Sequence, residues 1–166
     1  MTTQQSIDEA KLQAFLGKVV TDTAAAFSAP LVLVGDRLGL YQAMASSGPV
    51  TSQELAARTG LHERYVREWL LNQTASGYIE YDPTSERYTL PPEYAMALTD
   101  TTSPAYVGGL FYIVEAGLKA QERIAQAFRT GDGLAWGDQA PELYPAVDRL
   151  FRPGYAANLV QSWICL

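Results

Sequence analysis

Residues with metal-binding or nucleophilic side chains are scarce in this chain, since Cys165 is its one cysteine and His62 its one histidine. A single thiol cannot form an internal disulfide, and a zinc site needs several Cys or His ligands. A Ser-His-Asp or Cys-His arrangement would have to use His62, which we expect at the start of a helix in a turn or capping role. The sequence therefore predicts no catalytic, cofactor-binding or metal-binding residue in these 166 residues. It also indicates a reducing, cytoplasmic setting.

Positive charge is also scarce, because 12 Lys and Arg against 18 Asp and Glu give a formal charge of -6. Such a chain has no overall field that attracts nucleic acid or an anionic membrane surface. No basic N-terminal segment followed by an apolar run is present, so no secretion signal is predicted. The most apolar stretch, residues 24–40, contains Ser28, Pro30, Asp36 and Arg37, which make it a poor membrane span. No membrane partner is predicted.

The clearest pattern in the sequence lies between Pro49 and Pro91. Thr51 and Glu54 form a T-x-x-E capping box, and Gly60 is a residue that suits a helix C-terminus. A second helix follows, and then two short segments rich in aromatic and β-branched residues flank a turn at residues 82–85. The predicted elements are helices over 51–60 and 62–76 and strands over 78–81 and 87–90. This order is that of a winged helix-turn-helix with a β-hairpin wing.

The charge of this segment argues against DNA binding. On a helical wheel the second helix directs an apolar face inward, formed by Leu61, Tyr65, Val66, Trp69 and Leu70. Its outer face pairs each arginine with a carboxylate four residues away, as Glu63–Arg67 and Arg64–Glu68. Between Pro49 and Pro91, four Arg stand against six Asp and Glu. Since DNA affinity depends on neutralising phosphates with Lys and Arg, we do not expect DNA as a partner.

The flanking segments are predicted to be helical, which makes the fold mainly α. A capping box at Ser6 and Glu9 opens a helix to about residue 28, and Pro30 should interrupt it before a second apolar helix at 31–46. The run LVLVGDRLG could instead be a strand leading to a nucleotide-binding turn, but it lacks G-x-G-x-x-G and we favour a helix. Further helices are predicted after the hairpin, over 91–98, 104–129, 142–151 and 154–166. We divide the chain into residues 1–48, 49–98 and 99–166.

Half of the 18 aromatic residues of the chain lie between Tyr106 and Trp163. Aromatic side chains at helical spacing usually fill a core, yet the loop around Trp136 and the motif F-R-P-G-Y at residues 151–155 are not periodic. These aromatics could therefore line an apolar pocket for a small molecule. The candidates for such a pocket are Tyr106, Phe111, Tyr112, Trp136, Tyr155, Asn158 and Trp163.

The order of these features resembles a known family. The segments LVLVGDRLGLYQAMA, PVTSQELAARTGLHERYVREWLLNQTASGYIEYD, RYTLPPEYAMAL and FRPGYAANLVQSW are similar to the N-terminal region of class I S-adenosylmethionine-dependent methyltransferases. The closest similarity is to a bacterial subfamily that acts on small molecules. In that family the glycine-rich cofactor motif follows a segment like the one that ends at Leu166.

The resemblance implies a homodimerising, substrate-capping region that does not catalyse on its own. S-adenosylmethionine is then the expected cofactor of a longer parent protein, with no cofactor bound by this chain, and a small-molecule acceptor is the expected substrate. The apolar run that ends the chain is expected to continue in the parent or to dock on a partner. Two alternatives stay open: a winged-helix transcriptional regulator with an effector pocket, and a dimer module with neither activity.

Overall fold

The computed structural model, which describes residues 7–164, contains eight α-helices and one two-stranded antiparallel sheet within that range. A short 3-10 helix, Trp136–Asp138, and a π-helix, Leu159–Trp163, complete the helical elements of that range. The predicted fold class, mainly α with a winged helix-turn-helix, is confirmed. The α-helices and strands are α1 Glu9–Arg37, α2 Leu40–Ala45, α3 Ser52–Thr59, α4 Glu63–Ala75, β1 Glu80–Asp82, β2 Arg87–Thr89, α5 Pro92–Thr99, α6 Gly109–Lys119, α7 Gln121–Thr130 and α8 Leu143–Asn158.

The winged segment begins and ends where its local sequence predicts. Thr51 and Glu54 form the predicted capping box, and Gly60 ends α3 in the left-handed conformation. Asp82 accepts hydrogen bonds from the amide of Thr84 and the hydroxyl of Ser85, which fixes the turn between β1 and β2. Capping and turn chemistry are local, so the sequence alone was sufficient to locate them.

The N-terminal helix differs from the prediction because α1 runs through Pro30 without a break. Proline costs one helix hydrogen bond, and the burial of Val32 and Leu33 in the next turn favours continuing the helix. The second helix, expected over residues 31–46, is therefore divided between the end of α1 and the short α2. Asp8 caps α1 by accepting from the amide of Lys11, while the Ser6 of the predicted capping box lies outside the described residues.

We call residues 28–98 the winged-helix core, because these residues contribute the main cluster of buried apolar side chains. Gly35 lets three elements meet, since a Cβ there would stand 2.4 Å from the Trp69 ring and 2.8 Å from the Tyr41 ring. Tyr41 donates to Gln73, and the Trp69 indole donates to the Leu31 carbonyl at 2.8 Å. The buried Thr74 hydroxyl has no hydrogen-bond partner among the described residues. This core therefore combines close packing with hydrogen bonds for its large polar side chains.

The C-terminal third departs from the predicted helix boundaries. The helix expected over 104–129 is two helices, because the buried Ala120 turns the chain between α6 and α7. The two helices expected over 142–151 and 154–166 are instead one, α8, which passes through the buried Pro153 and continues as the π-helix. We call residues 109–158, which contain α6 to α8, the cap segment.

The first half of α1 packs against nothing in the described part of the chain. Every residue from 7 to 27 is exposed, including a broad apolar stripe. The stripe contains Leu12, Phe15, Leu16, Val19, Val20 and Phe27. By length and composition α1 would pass as a membrane-spanning helix, a test that core helices of soluble proteins also pass. The absence of a membrane partner stays a prediction.

Candidate functional site

An open groove of about 530 Å³ lies along α6, α8 and the π-helix. Three of the predicted pocket residues, Tyr106, Tyr155 and Trp163, lie together on its wall. Its other lining residues are Pro104, Leu110, Leu150, Phe151 and Gly154. None of these side chains is charged, so the groove suits a neutral, apolar molecule.

Two features of α6 and α8 form this groove. Gly109 allows the helices to touch, because a Cβ there would stand 2.9 Å from the backbone nitrogen of Leu150. At the far end, the rings of Tyr155 and Trp163 meet edge to face with centroids 5.5 Å apart. Gly109 thus serves a close helix contact, whereas Gly117, also on α6, faces open space.

The other predicted pocket residues do not join this groove. Phe111 packs on the winged-helix core, edge to face with Tyr78. Tyr112 lines a separate cavity and donates to Asp36. Trp136 stacks with Tyr144 at the surface, and its carbonyl accepts a hydrogen bond from the Tyr144 hydroxyl. Asn158 donates to the Gly154 carbonyl within α8. A shared role in ligand binding for all seven residues stays a prediction.

Tyr106 is the one groove residue with a buried polar group of note. The side chain is 3% exposed, and its hydroxyl has no hydrogen-bond partner among the described residues. Burial raises the pKa of Tyr106 to about 12, against the opposing influence of Arg149. The hydroxyl is therefore neutral at physiological pH and chemically able to donate.

A second constellation, which the sequence analysis missed, centres on Asp36. Arg149 binds the Asp36 carboxylate through both terminal nitrogens, at 2.9 and 3.0 Å, and the Tyr112 hydroxyl donates to the same carboxylate at 2.5 Å. The Arg149 guanidinium lies 5.4 Å from the Tyr106 ring centroid and 5.2 Å from that of Tyr112. Bidentate geometry and two aromatic faces make this a well-held ion pair.

The protonation of this cluster follows from its contacts. Burial raises the pKa of Asp36, but the hydrogen bonds from Arg149 and Tyr112 outweigh it, and the pKa lies below the ordinary value. Burial lowers the pKa of Arg149, but the hydrogen bond and the charge of Asp36 raise it by more, so the pKa lies above the ordinary value. Both groups are thus charged at neutral pH.

A more exposed set of charges extends the cluster along α6. Arg37 donates to Glu115 at 2.6 Å, and Lys119 lies 3.5 Å from Glu115 and 3.3 Å from Glu142. These pairs connect α1, α6 and the start of α8. Because the side chains are partly solvated, we assign them a small share of the stability.

One sequence signal could have identified the Asp36 cluster. Asp36 stands next to Arg37 in the largely apolar run LVLVGDRLG, and a carboxylate in an apolar segment that is expected to be buried needs a cationic partner. The partner could not be named from the sequence, since Arg149 lies 113 residues away.

On α4, Val66, Trp69 and Leu70 are buried as predicted. The prediction that Tyr65 points inward was wrong, because it is exposed and lies edge to face with His62. His62 precedes α4 without a side-chain capping bond. Glu63 and Arg67 approach to 3.9 Å as expected, whereas no Arg64–Glu68 pair is found among the described residues.

Within residues 7–164, no group of three or more His, Cys, Asp and Glu is placed to hold a metal ion.

Comparison with known proteins identifies the central part of the chain. Residues 24–100 match the family described as the Rv2258c-like winged HTH domain. No curated protein matches the chain.

Several solved structures share its fold. They include the mitomycin 7-O-methyltransferase MmcR, with a TM-score of 0.67, 22% identity and coverage of 90% of this chain and 47% of that one. CalO1, a methyltransferase in calicheamicin biosynthesis in its SAH-bound form, matches with a TM-score of 0.63 and 18% identity, over 92% of this chain and 47% of that one. Human N-acetylserotonin methyltransferase in complex with SAM matches with a TM-score of 0.61 and 18% identity, over 94% of this chain and 48% of that one.

The chain spans about half the length of the solved structures that it matches. The match at these identities concerns the fold. The resemblance drawn from the sequence is confirmed at this level, and residues 24–100, which match the Rv2258c-like family model, form a winged helix-turn-helix.

Proposed function

We propose that this chain is the dimerisation and substrate-cap region of an S-adenosylmethionine-dependent small-molecule methyltransferase. The observation that carries the proposal is the extent of the shared fold. The likeness covers nine tenths of this chain and just under half of MmcR, well beyond the winged helix itself. The cap segment therefore belongs to the shared fold as well.

In this proposal the uncharged groove contributes one wall of the acceptor site. Its aromatic and aliphatic side chains would bury an apolar acceptor, and the methyl donor would bind in a region outside residues 1–166. The chain alone then has no methyltransferase activity. The single cysteine and the fold likeness support a cytoplasmic setting for the parent protein.

Titration calorimetry with S-adenosylmethionine tests where the cofactor binds. We expect no binding with a Kd below about 100 µM by the 166-residue chain. Micromolar binding would show that the cofactor site lies within this chain, which would contradict the proposed division of roles.

The apolar stripe on α1, which is exposed in the described part of the chain, supports the homodimer. Six large apolar side chains between Leu12 and Phe27 are exposed, and Phe128 on α7 is 89% exposed. Monomeric proteins rarely leave large contiguous apolar surfaces in water, so a second copy is the expected cover. A light-scattering mass near 18 kDa at all concentrations would contradict the homodimer.

A transcriptional regulator is the second candidate, because a winged helix-turn-helix is a DNA-binding module in many proteins. The outer face of α4 exposes Arg64 and Arg67 together with Glu68, so it has little excess positive charge. A mobility-shift assay at low salt with genomic fragments separates the candidates. Salt-sensitive, site-selective retardation would favour the regulator, and negative results in both assays would favour a dimer module.

A further inference from the structure

The junction between the winged-helix core and the cap segment is only partly apolar. Phe111 reaches the core, but a groove of about 240 Å³ remains open between α1 and α6. It is lined by Ala29, Pro30, Leu33, Val34, Arg37, Phe111, Val114, Glu115 and Leu118. Apolar packing therefore provides less of the attachment here than it does inside the core.

The Asp36 cluster spans this junction. Asp36 lies at the end of α1 beside Gly35, which is packed under Trp69 and Tyr41, so its position is fixed by the core. Arg149 and Tyr112 come from α8 and α6, the two main helices of the cap segment. The Asp36 side chain is 12% exposed and that of Arg149 is 31% exposed. Removing one partner of this largely buried ion pair leaves the other charge unpaired, which destabilises the folded chain.

We propose that Asp36, Arg149 and Tyr112 form a latch, which holds the cap segment on the winged-helix core and whose loss lets the cap segment separate as a unit. Within the described residues, one covalent link, residues 99–108, joins the two regions. The cap segment itself is held together by the close contact of Gly109 with Leu150. Breaking the latch therefore leaves α6 and α8 packed on each other.

The latch also determines where one wall of the apolar groove stands. Leu150 and Phe151 follow Arg149 directly on α8 and line the groove. The latch involves no ligand, so its role is the same whether the groove serves a methyltransferase or a regulator.

Hydrogen exchange measured by mass spectrometry on the full chain tests the latch. In Arg149→Met we expect amides of α6 and α8 to exchange at least about tenfold faster, while those of α3 and α4 stay within about twofold. The matched control is Arg152→Met on the same helix, which removes an exposed pair with Asp148 four residues away. The control should leave exchange in all four helices unchanged.

A second pair of variants keeps the test decisive if Arg149→Met does not fold. Tyr112→Phe retains the ring and removes one hydrogen bond to Asp36, so exchange in α6 and α8 should rise severalfold. Where Arg149→Met does fold, the effect of Asp36→Asn/Arg149→Met should be smaller than the product of the two single effects, because the partners act together.

Two results would overturn the latch. Equal acceleration in α4 and α8 would make the cluster a general stabiliser of the whole chain. Unchanged exchange in α6 and α8 of both Arg149→Met and Tyr112→Phe would mean that apolar contacts alone hold the cap segment.

Discussion

The winged-helix core and the cap segment are stabilised in different ways. In the core, Val50, Leu55 and Leu70 are fully buried, and even the buried Gln73 has hydrogen-bond partners. In the cap segment, no residue of α7 is buried, and α8 buries only Ala146 and Pro153. The core buries its apolar surface within the chain, whereas the cap segment directs much of its own outward. The difference supports the proposal that the cap segment contacts another surface.

The strongest test of this difference makes the same leucine-to-alanine substitution in each region. Leu70→Ala should lower the free energy of unfolding by about 2–5 kcal/mol, because it leaves a cavity in the core. Leu118→Ala, at a half-exposed position on α6, should cost less than about 1 kcal/mol. Urea unfolding of both variants measures the difference. Equal losses would mean that the two regions are packed alike.

A pair of glycine substitutions on α1 compares its packed and unpacked halves. Gly35→Ala should destabilise by about 1–3 kcal/mol, because the new methyl group meets the rings of Trp69 and Tyr41. Gly17→Ala meets nothing within 4 Å and should be neutral or stabilise by up to about 1 kcal/mol through helix propensity. Thermal unfolding gives the sign of each effect. A destabilised Gly17→Ala would indicate a neighbour that the single chain does not show.

The stripe on α1 is tested through the oligomeric state. Phe15→Asp places a charge on the apolar stripe and should raise the Kd of the homodimer at least tenfold, or about 1.4 kcal/mol. Thr21→Asp, on the opposite side of the same helix, is the control. Light scattering over a dilution series measures both. If both variants weaken the dimer equally, or neither does, the stripe is not the interface.

The smallest expected effect concerns pH. Because the pKa of Asp36 is lowered in the folded chain, its contribution is complete above its unfolded pKa of about 3.9 and disappears as the pH falls through the folded value. Contacts also lower the pKa values of Glu54, Asp82, Asp100 and Glu142, so the wild-type profile alone does not isolate Asp36.

Comparing the unfolding free energy of the wild type with that of Asp36→Asn isolates the contribution of Asp36. The two unfolding free energies, measured from pH 6 to pH 3, should approach each other as the pH falls. Parallel profiles would contradict a depressed pKa for Asp36.

Local chemistry explains which elements could be predicted. The capping box at Thr51, the left-handed Gly60 and the turn at Asp82 depend on residues within a few positions of each other, and all three lie where the sequence predicted them. The same local rules predicted helix breaks at Pro30 and between residues 151 and 154, where Pro153 lies, and both predictions were wrong. In both cases the helix continues next to buried residues. The predicted division of the chain at residues 48 and 98 stays a prediction.

The candidate site shows the same limit. Aromatic composition pointed to the last third of the chain, and three of seven predicted residues lie on one groove. The composition could not separate Tyr155 and Trp163 from Trp136, because their separation depends on how α6 and α8 meet at Gly109.

By itself, the sequence determined the winged helix-turn-helix, the charge that argues against DNA, and the resemblance to a methyltransferase region. These depend on hydrogen bonds and periodicities within one element, and on counts of charged residues. Only the tertiary structure decided that Asp36 in LVLVGDRLG forms an ion pair with Arg149, and that residues 9–27 of α1 are exposed in the described part of the chain. Those features depend on contacts between residues far apart in the chain, which no local pattern specifies.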